Sequence, residues 1–212
     1  MLVPRTSRVA LVVLLLFAVL SMLVARHLTQ GWDARTVVAF SQLRRPALTR
    51  IMQALSGLGN WRCEIPLALG IAAVAWRMGS GADGGRYLLI AISGEAIYAV
   101  AKGVMRRPRP TVVPHLGDAG WYSYPSGHSM MAWIVWGLGL VVLARVLRSR
   151  RASHFLYAGA VILPILISVS RLYLGVHYPT DVLAGLLLAT GWMLLWWAPS
   201  SRRATSSAPA TR

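Results

Sequence analysis

The chain is poor in what a water-soluble domain keeps on its outside. Of 212 residues only 13% are charged, and the acids number six. A soluble domain of this length carries roughly a quarter charged residues. The shortage excludes a soluble globular protein and leaves one membrane domain as the reading. Six acids also leave few carboxylates to cage a divalent cation, so no metal is expected. There is a single cysteine, Cys63, so no disulfide closes within the chain. It stands between Arg62 and Glu64, near a membrane surface, and reads as a small space-filling residue. Lysine is nearly missing too: Lys102 is alone, and every other side-chain cation is arginine.

What is there is apolar and basic. Hydrophobic residues make up 56% of the chain, and the mean hydropathy is +0.56. The net charge is +16, from 22 basic and six acidic residues. Such a balance suits nucleic acid. Here the arginines stand between long apolar runs, as in loops that face anionic lipid head groups. No soluble basic domain is left over, so nucleic acid is set aside and the bilayer is the expected partner.

The first apolar run covers residues 9–25, with Ser21 its only polar side chain and Arg8 and Arg26 as brackets. Arg5 and Arg8 resemble the basic start of a signal peptide, but no A-x-A-like site follows, so the run reads as a retained span. Further runs at 65–78, 87–105, 129–147, 155–174 and 182–198 approach the roughly 20 residues a bilayer demands. The expected fold is therefore all-α, a bundle of six transmembrane helices. Gly79 to Gly85 reads as a flexible turn, and 148–151 as a short charged loop. Segment 200–212 is polar and low in complexity, which predicts a disordered tail after a membrane domain at 1–199.

Between spans one and two lies 27–62. Leu48, Ile51, Met52 and Leu55 fall at i, i+3, i+4, i+7, one face of a helix. Val37, Val38, Phe40 and Leu43 form a looser set before it, with Arg44, Arg45 and Arg50 on the polar side. One reading is amphipathic helices lying in the membrane interface; the other is amphipathic helices packed on the bundle. Either forms a wall for lipid access.

Six spans put both termini on one side, together with Arg77, Arg86 and the four arginines at 145–151. The positive-inside rule then favours cytoplasmic termini, against the weight of Arg35, Arg44, Arg45, Arg50 and Arg62 opposite. The integral membrane protein would thus present its far face outside the cytoplasm.

Three clusters of reactive residues fall on that far face. Lys102 and Arg109-Pro110 end span three, and a spacing of seven would put both cations on one helix face. Pro108 and Pro110 would end that helix near Arg107. A compact ammonium in an arginine-rich chain suits a specific contact. Arg106 and Arg107 read as surface charges for lipid head groups. Pro125-Ser126-Gly127-His128 opens span four, where free N–H groups and the helix dipole make an anion site. Taken alone it is also an ordinary turn and N-cap. Ser170-Arg171 closes span five, and His177 and Asp181 open span six, one turn apart. A carboxylate there can fix the imidazole tautomer and leave the other ring nitrogen free to attack phosphorus. Glu95, mid-span and seven residues before Lys102, is either functional or a partner for a neighbouring helix.

Lys-x6-Arg-Pro, Pro-Ser-Gly-His and Ser-Arg-x5-His-x3-Asp, in that order, resemble the signature motifs of the type 2 phosphatidic acid phosphatase superfamily. The resemblance is close over 102–181 and looser over the six-span plan. It implies His177 as nucleophile through a phosphohistidine, with Asp181 supporting it. It implies His128 as the acid that protonates the leaving oxygen and then activates water. Lys102, Arg109, Ser126, Gly127 and Arg171 would hold the phosphoryl oxygens. The expected substrate is a phospholipid or polyprenyl (di)phosphate. A polyprenyl diphosphate such as undecaprenyl diphosphate comes first; phosphatidylglycerophosphate or phosphatidic acid comes next. A phosphotransferase using the same phosphohistidine, a haloperoxidase and an anion transporter remain as alternatives.

Overall fold

The computed structural model describes residues 5–147 and 149–196. The segment expected as a tail, 200–212, lies outside the described residues. Among the described residues the chain is all helix, with no strand. The helices are α1 (Arg5–Ala25), α2 (Gln30–Gln42), α3 (Pro46–Leu58), α4 (Trp61–Arg77), α5 (Gly81–Met105), α6 (Gly127–Leu147), α7 (Arg150–Tyr173) and α8 (Pro179–Trp196).

Five of these, α1 and α5 to α8, are long and apolar enough to cross a bilayer. The sixth expected span is α4, at 17 residues. It begins before its apolar run, because the Asn60 side chain caps it by accepting the Arg62 N–H at 3.0 Å. Charged Arg62 and Glu64 therefore fall in its first turn and shorten its apolar length.

α6 is the centre of the bundle. Met130, Ile134, Val135, Leu138 and Val142 on it pack with Ile71, Tyr87, Ile90 and Leu188 from α4, α5 and α8. Its middle, Trp133–Leu138, runs as a π-helix, and the Tyr87 hydroxyl donates to the Val135 carbonyl there at 2.9 Å. Helix association inside a membrane rests on close packing rather than on water exclusion, so small residues mark the contacts. A Cβ on Gly185 of α8 would lie 2.6 Å from the Ser126 carbonyl, so only glycine lets α8 meet the start of α6. α1 packs along α8 and turns Leu11, Val12, Leu15 and Leu16 outward.

The glycine-rich segment expected as a flexible turn is mostly helical. α5 starts at Gly81, and a Cβ on Gly84 would stand 3.0 Å from the Ala72 carbonyl. Those glycines serve the close approach of α4 and α5. The turn itself is made by Gly79, whose φ of +76° is a left-handed conformation that favours glycine. Likewise the arginine loop is shorter than expected, since Ser149 caps α7 and Arg150 and Arg151 are its first residues.

α2 and α3 pack against the end of the bundle. Leu48 and Met52 seat on Tyr173, Leu174 and Val176 at the end of α7, and Val37 is buried. Ile51, placed on the same stripe by the periodicity, faces outward. The ends of α5 and α7 and the starts of α4, α6 and α8 all meet under these two helices.

Candidate active site

The three motif clusters converge on one cavity of about 670 Å³. Lys102, Arg109, Gly127, His128, Arg171 and His177 line it, with Tyr98 and Trp61 on its walls. Lys102, Gly127, His128 and Arg171 stand at helix ends, and Arg109 and His177 stand in the links between helices.

Lys102 stands in the last turn of α5, its Nζ 4.9 Å from the centre of the Tyr98 ring. α5 stops at Met105, and Arg106 caps it in a left-handed conformation at φ 45°. Arg109 is therefore not on the same helix face as Lys102, as the spacing suggested. It returns to the site because its Nε donates to the Gly120 carbonyl at 2.8 Å and its Nη1 to the Val176 carbonyl at 2.7 Å. Pro108 and Pro110 keep that stretch out of a helix.

At the start of α6, Ser126 is the N-cap. Its hydroxyl oxygen accepts from the Ser129 N–H at 3.4 Å and from the Ser129 hydroxyl at 3.0 Å, and it lies buried behind the cavity wall. Its own N–H donates to the Asp181 carbonyl at 2.9 Å, which ties α6 to α8. Gly127 faces the cavity; a Cβ there would lie 2.6 Å from the Tyr98 ring. His128 follows and lines both this cavity and a smaller polar one of about 260 Å³ beside Gln53, Ser56 and Asp118.

Arg171 is 2% exposed. One terminal nitrogen donates to the Ser56 hydroxyl in a short bond, and the other donates to the Asp118 carbonyl at 2.7 Å. Its Nε has no partner. A buried N–H left open in a cation-lined cavity fits an oxyanion.

His177 is 1% exposed and reached only through the cavity. Its Nδ1 lies 3.3 Å from Asp181 Oδ2 and its Nε2 3.3 Å from Arg109 Nη1. Burial, and then the cations Arg109, Arg171 and Lys102, hold its pKa well below the usual imidazole range. A neutral ring with its Nδ1–H on the carboxylate would turn the Nε2 lone pair toward the cations. That is the tautomer a nitrogen nucleophile requires.

Asp181 is fully buried, and its Oδ2 also accepts the Tyr178 N–H at 2.8 Å. Its Oδ1 accepts from Arg107 at 2.7 Å, and here the expectation from sequence is overturned. Arg107 is no surface charge. It stacks 4.1 Å from the centre of the Tyr178 ring and bridges Asp181 and Asp33. Burial works against its charge, but Asp181 and Asp33 outweigh it and raise its pKa.

Sequence reasoning missed Asp33, Arg107, Ser56 and Asp118. Arg107 occupies an open position inside Lys-x6-Arg-Pro, and no spacing ties Asp33, Ser56 or Asp118 to the motifs. The one available signal was Asp33 itself, a rare acid in an arginine-rich segment. Glu95 goes the other way: it stands exposed on an apolar groove of about 640 Å³ between α4 and α5 and does not line the cavity where the motifs meet. The buried acid on that groove is Glu64. Among the described residues, no three His, Cys, Asp or Glu side chains gather as metal ligands.

Comparison with known proteins identifies the family. The PAP2 superfamily pattern matches residues 83–204. The chain is 30% identical over 177 residues to phosphatidylglycerophosphatase B of Bacillus subtilis, covering 82% of this chain and 86% of that protein. It is 38% identical over 69 residues to an undecaprenyl-diphosphatase of Sulfolobus acidocaldarius, covering 32% of this chain and 29% of the other. The crystal structure of a transmembrane PAP2 type phosphatidylglycerolphosphate phosphatase from Bacillus subtilis superposes with a TM-score of 0.81 at 29% identity. That match covers 88% of this chain and 92% of the other.

Proposed function

The chain belongs to the PAP2 superfamily, and on that premise we propose a membrane phosphatase that cleaves lipid phosphates through a phosphohistidine on His177. The observation that carries this reading is the convergence of Lys102, Arg109 and Arg171 on one cavity with His128 and the His177–Asp181 pair. Three cations bind a phosphoryl group and the charge that develops on it. His177 Nε2 attacks phosphorus, and the bond from phosphorus to the lipid oxygen breaks. His128 gives its proton to that oxygen. The ring of His177 becomes cationic, with Asp181 against its Nδ1–H. His128 then takes a proton from water, the water oxygen attacks phosphorus, the P–N bond breaks, and inorganic phosphate leaves. Gly127 allows the close approach of the phosphoryl oxygens to the first N–H groups of α6.

The substrate we favour is phosphatidylglycerophosphate, with undecaprenyl diphosphate second. The polyprenyl lipid came first from the sequence; the likeness to phosphatidylglycerophosphatase B over most of both chains supports the reverse order. The apolar groove between α4 and α5 shares Trp61 and Ala99 with the catalytic cavity, so a lipid chain can lie beside its bound head group. Phosphate release from both lipids and from phosphatidic acid, by purified protein in detergent, tests this. Release from none of them would reject the phosphatase.

We further read residues 1–199 as one domain with six crossings, α4 being the second. Its 17 residues reach about 26 Å, close to the hydrocarbon thickness of about 30 Å. Its first residues line the cavity, and so does the end of α5, so α4 and α5 together leave the site and return to it. The arginines near α6 and α7 favour a cytoplasmic side for the far end, which supports a site outside the cytoplasm. With Cys63 replaced, Val112→Cys is expected to react with an impermeant thiol reagent in intact cells and Ser149→Cys to resist it. Val112 is exposed beside the site and Ser149 lies at the other end. The reverse labelling would invert the topology.

Activity is expected to persist in excess chelator and to be inhibited by vanadate, whose trigonal-bipyramidal form resembles the phosphoryl transition state. The basis is a donor set of cations and imidazoles. Loss in chelator with recovery on adding magnesium or zinc would point instead to metal-assisted hydrolysis.

A further inference from the structure

Two buried carboxylates share one guanidinium beside the nucleophile. Asp181 meets both His177 Nδ1, at 3.3 Å, and Arg107, at 2.7 Å. An arginine bound to Asp181 alone would make a neutral pair. A neutral pair is a poor partner for an imidazole that becomes cationic once its Nε2 is bonded to phosphorus. Asp33 changes the sum. With Asp33 and Asp181 both ionised on Arg107, the group carries one net negative charge, and both carboxylates are 0% exposed.

Asp33 is held by four hydrogen bonds. Asp33 is 0% exposed, on α2, 74 residues from Arg107 in the chain. It accepts from Arg107 Nη2 at 2.7 Å and from the Thr29 hydroxyl at 2.8 Å. It accepts the Thr180 N–H at 3.1 Å and the Thr180 hydroxyl at 2.7 Å. Thr180 precedes Asp181 in the first turn of α8, and its hydroxyl oxygen accepts from Arg107 at 2.7 Å. Asp33 therefore fixes both the guanidinium and the helical turn on which Asp181 is mounted.

We propose that Asp33 is a positioning residue for phosphoryl transfer: through Arg107 and Thr180 it keeps Asp181 placed and charged against His177. This rests on the phosphohistidine reading above. Asp33 touches neither substrate nor His177. Its effect therefore falls on the chemical step and not on the phosphate cradle of Lys102, Arg109 and Arg171. A residue that only clamps α2 onto α8 would change stability and leave the chemical step alone.

Asp33→Asn keeps the shape and most of the hydrogen bonds but removes the charge. Its kcat for phosphate release is expected to fall about 10- to 100-fold, as for other outer groups that orient a reacting side chain. Its KM should move less than about twofold, because the cradle is untouched. Asp33→Glu restores the charge and should recover part of the loss. In an Arg107→Gln background, Asp33→Asn should cost less than about threefold, since the charge it balances is gone. That double variant holds a neutral pair, so it serves if Asp33→Asn alone does not fold. Wild-type kcat in Asp33→Asn would overturn the proposal, and so would the same loss in both backgrounds, or a lower melting temperature with kcat unchanged. A wild-type protein that releases phosphate from no lipid rejects the phosphatase itself and this inference with it. An active wild type with a fully active Asp33→Asn rejects this inference alone.

Discussion

Replacing His177 by alanine is expected to abolish turnover, a fall of about 10⁴-fold or more, as for other enzymes deprived of their covalent nucleophile. The fold should survive. His177 sits in the short link between α7 and α8, and its side chain faces the cavity rather than the core. Phosphate and vanadate should still bind, because Lys102, Arg109 and Arg171 are untouched. The check is kcat together with vanadate affinity: turnover lost and affinity kept. Near-wild-type turnover would remove His177 as nucleophile. Asp181→Asn is expected to be less severe, because the nucleophile itself remains, although the amide loses the charge and replaces one of the two oxygens that accept from Arg107, Tyr178 and His177.

His128→Ala is expected to have the next largest effect, about 10²- to 10⁴-fold on lipid substrates, the usual range for a general acid or base. The effect should depend on the leaving group. A lipid alkoxide leaves badly without a proton, whereas a nitrophenolate needs none. Phosphorylation of the variant by p-nitrophenyl phosphate should therefore be nearly normal. The second half of the reaction still lacks its base, so the phosphoenzyme should accumulate. A uniform loss on both substrates would show that His128 binds phosphate rather than moving a proton.

The contrast between these residues and Asp33 shows what a sequence of this kind discloses. Apolar runs bracketed by arginine mark membrane helices, because the bilayer sets both their length and their flanks. His128 and His177 were readable as candidates because each stands in or next to the first turn of a helix within a short fixed motif, where local spacing already implies geometry. Arg107 and Asp33 were not, since their pairing spans 74 residues and obeys no period. The acids of α4 and α5 failed for another reason. A helix apolar on every side gives no phase, so nothing in the sequence tells that Glu95 is exposed while Glu64 is buried. Glycines misled in the same way: the segment before Tyr87 reads as a flexible turn, yet two of its glycines are there to let helices touch. The length of α4 stayed undecided because its cap, Asn60, lies outside the apolar run.

The most direct measurement is to quench the enzyme with lipid carrying a labelled terminal phosphate during the first turnovers, and to map the label. His177 should carry it, in a linkage stable to base and labile to acid. The label should be absent from His177→Ala and enriched in His128→Ala. Phosphate release at full rate with no labelled enzyme, or with the label on any other residue, would contradict the mechanism.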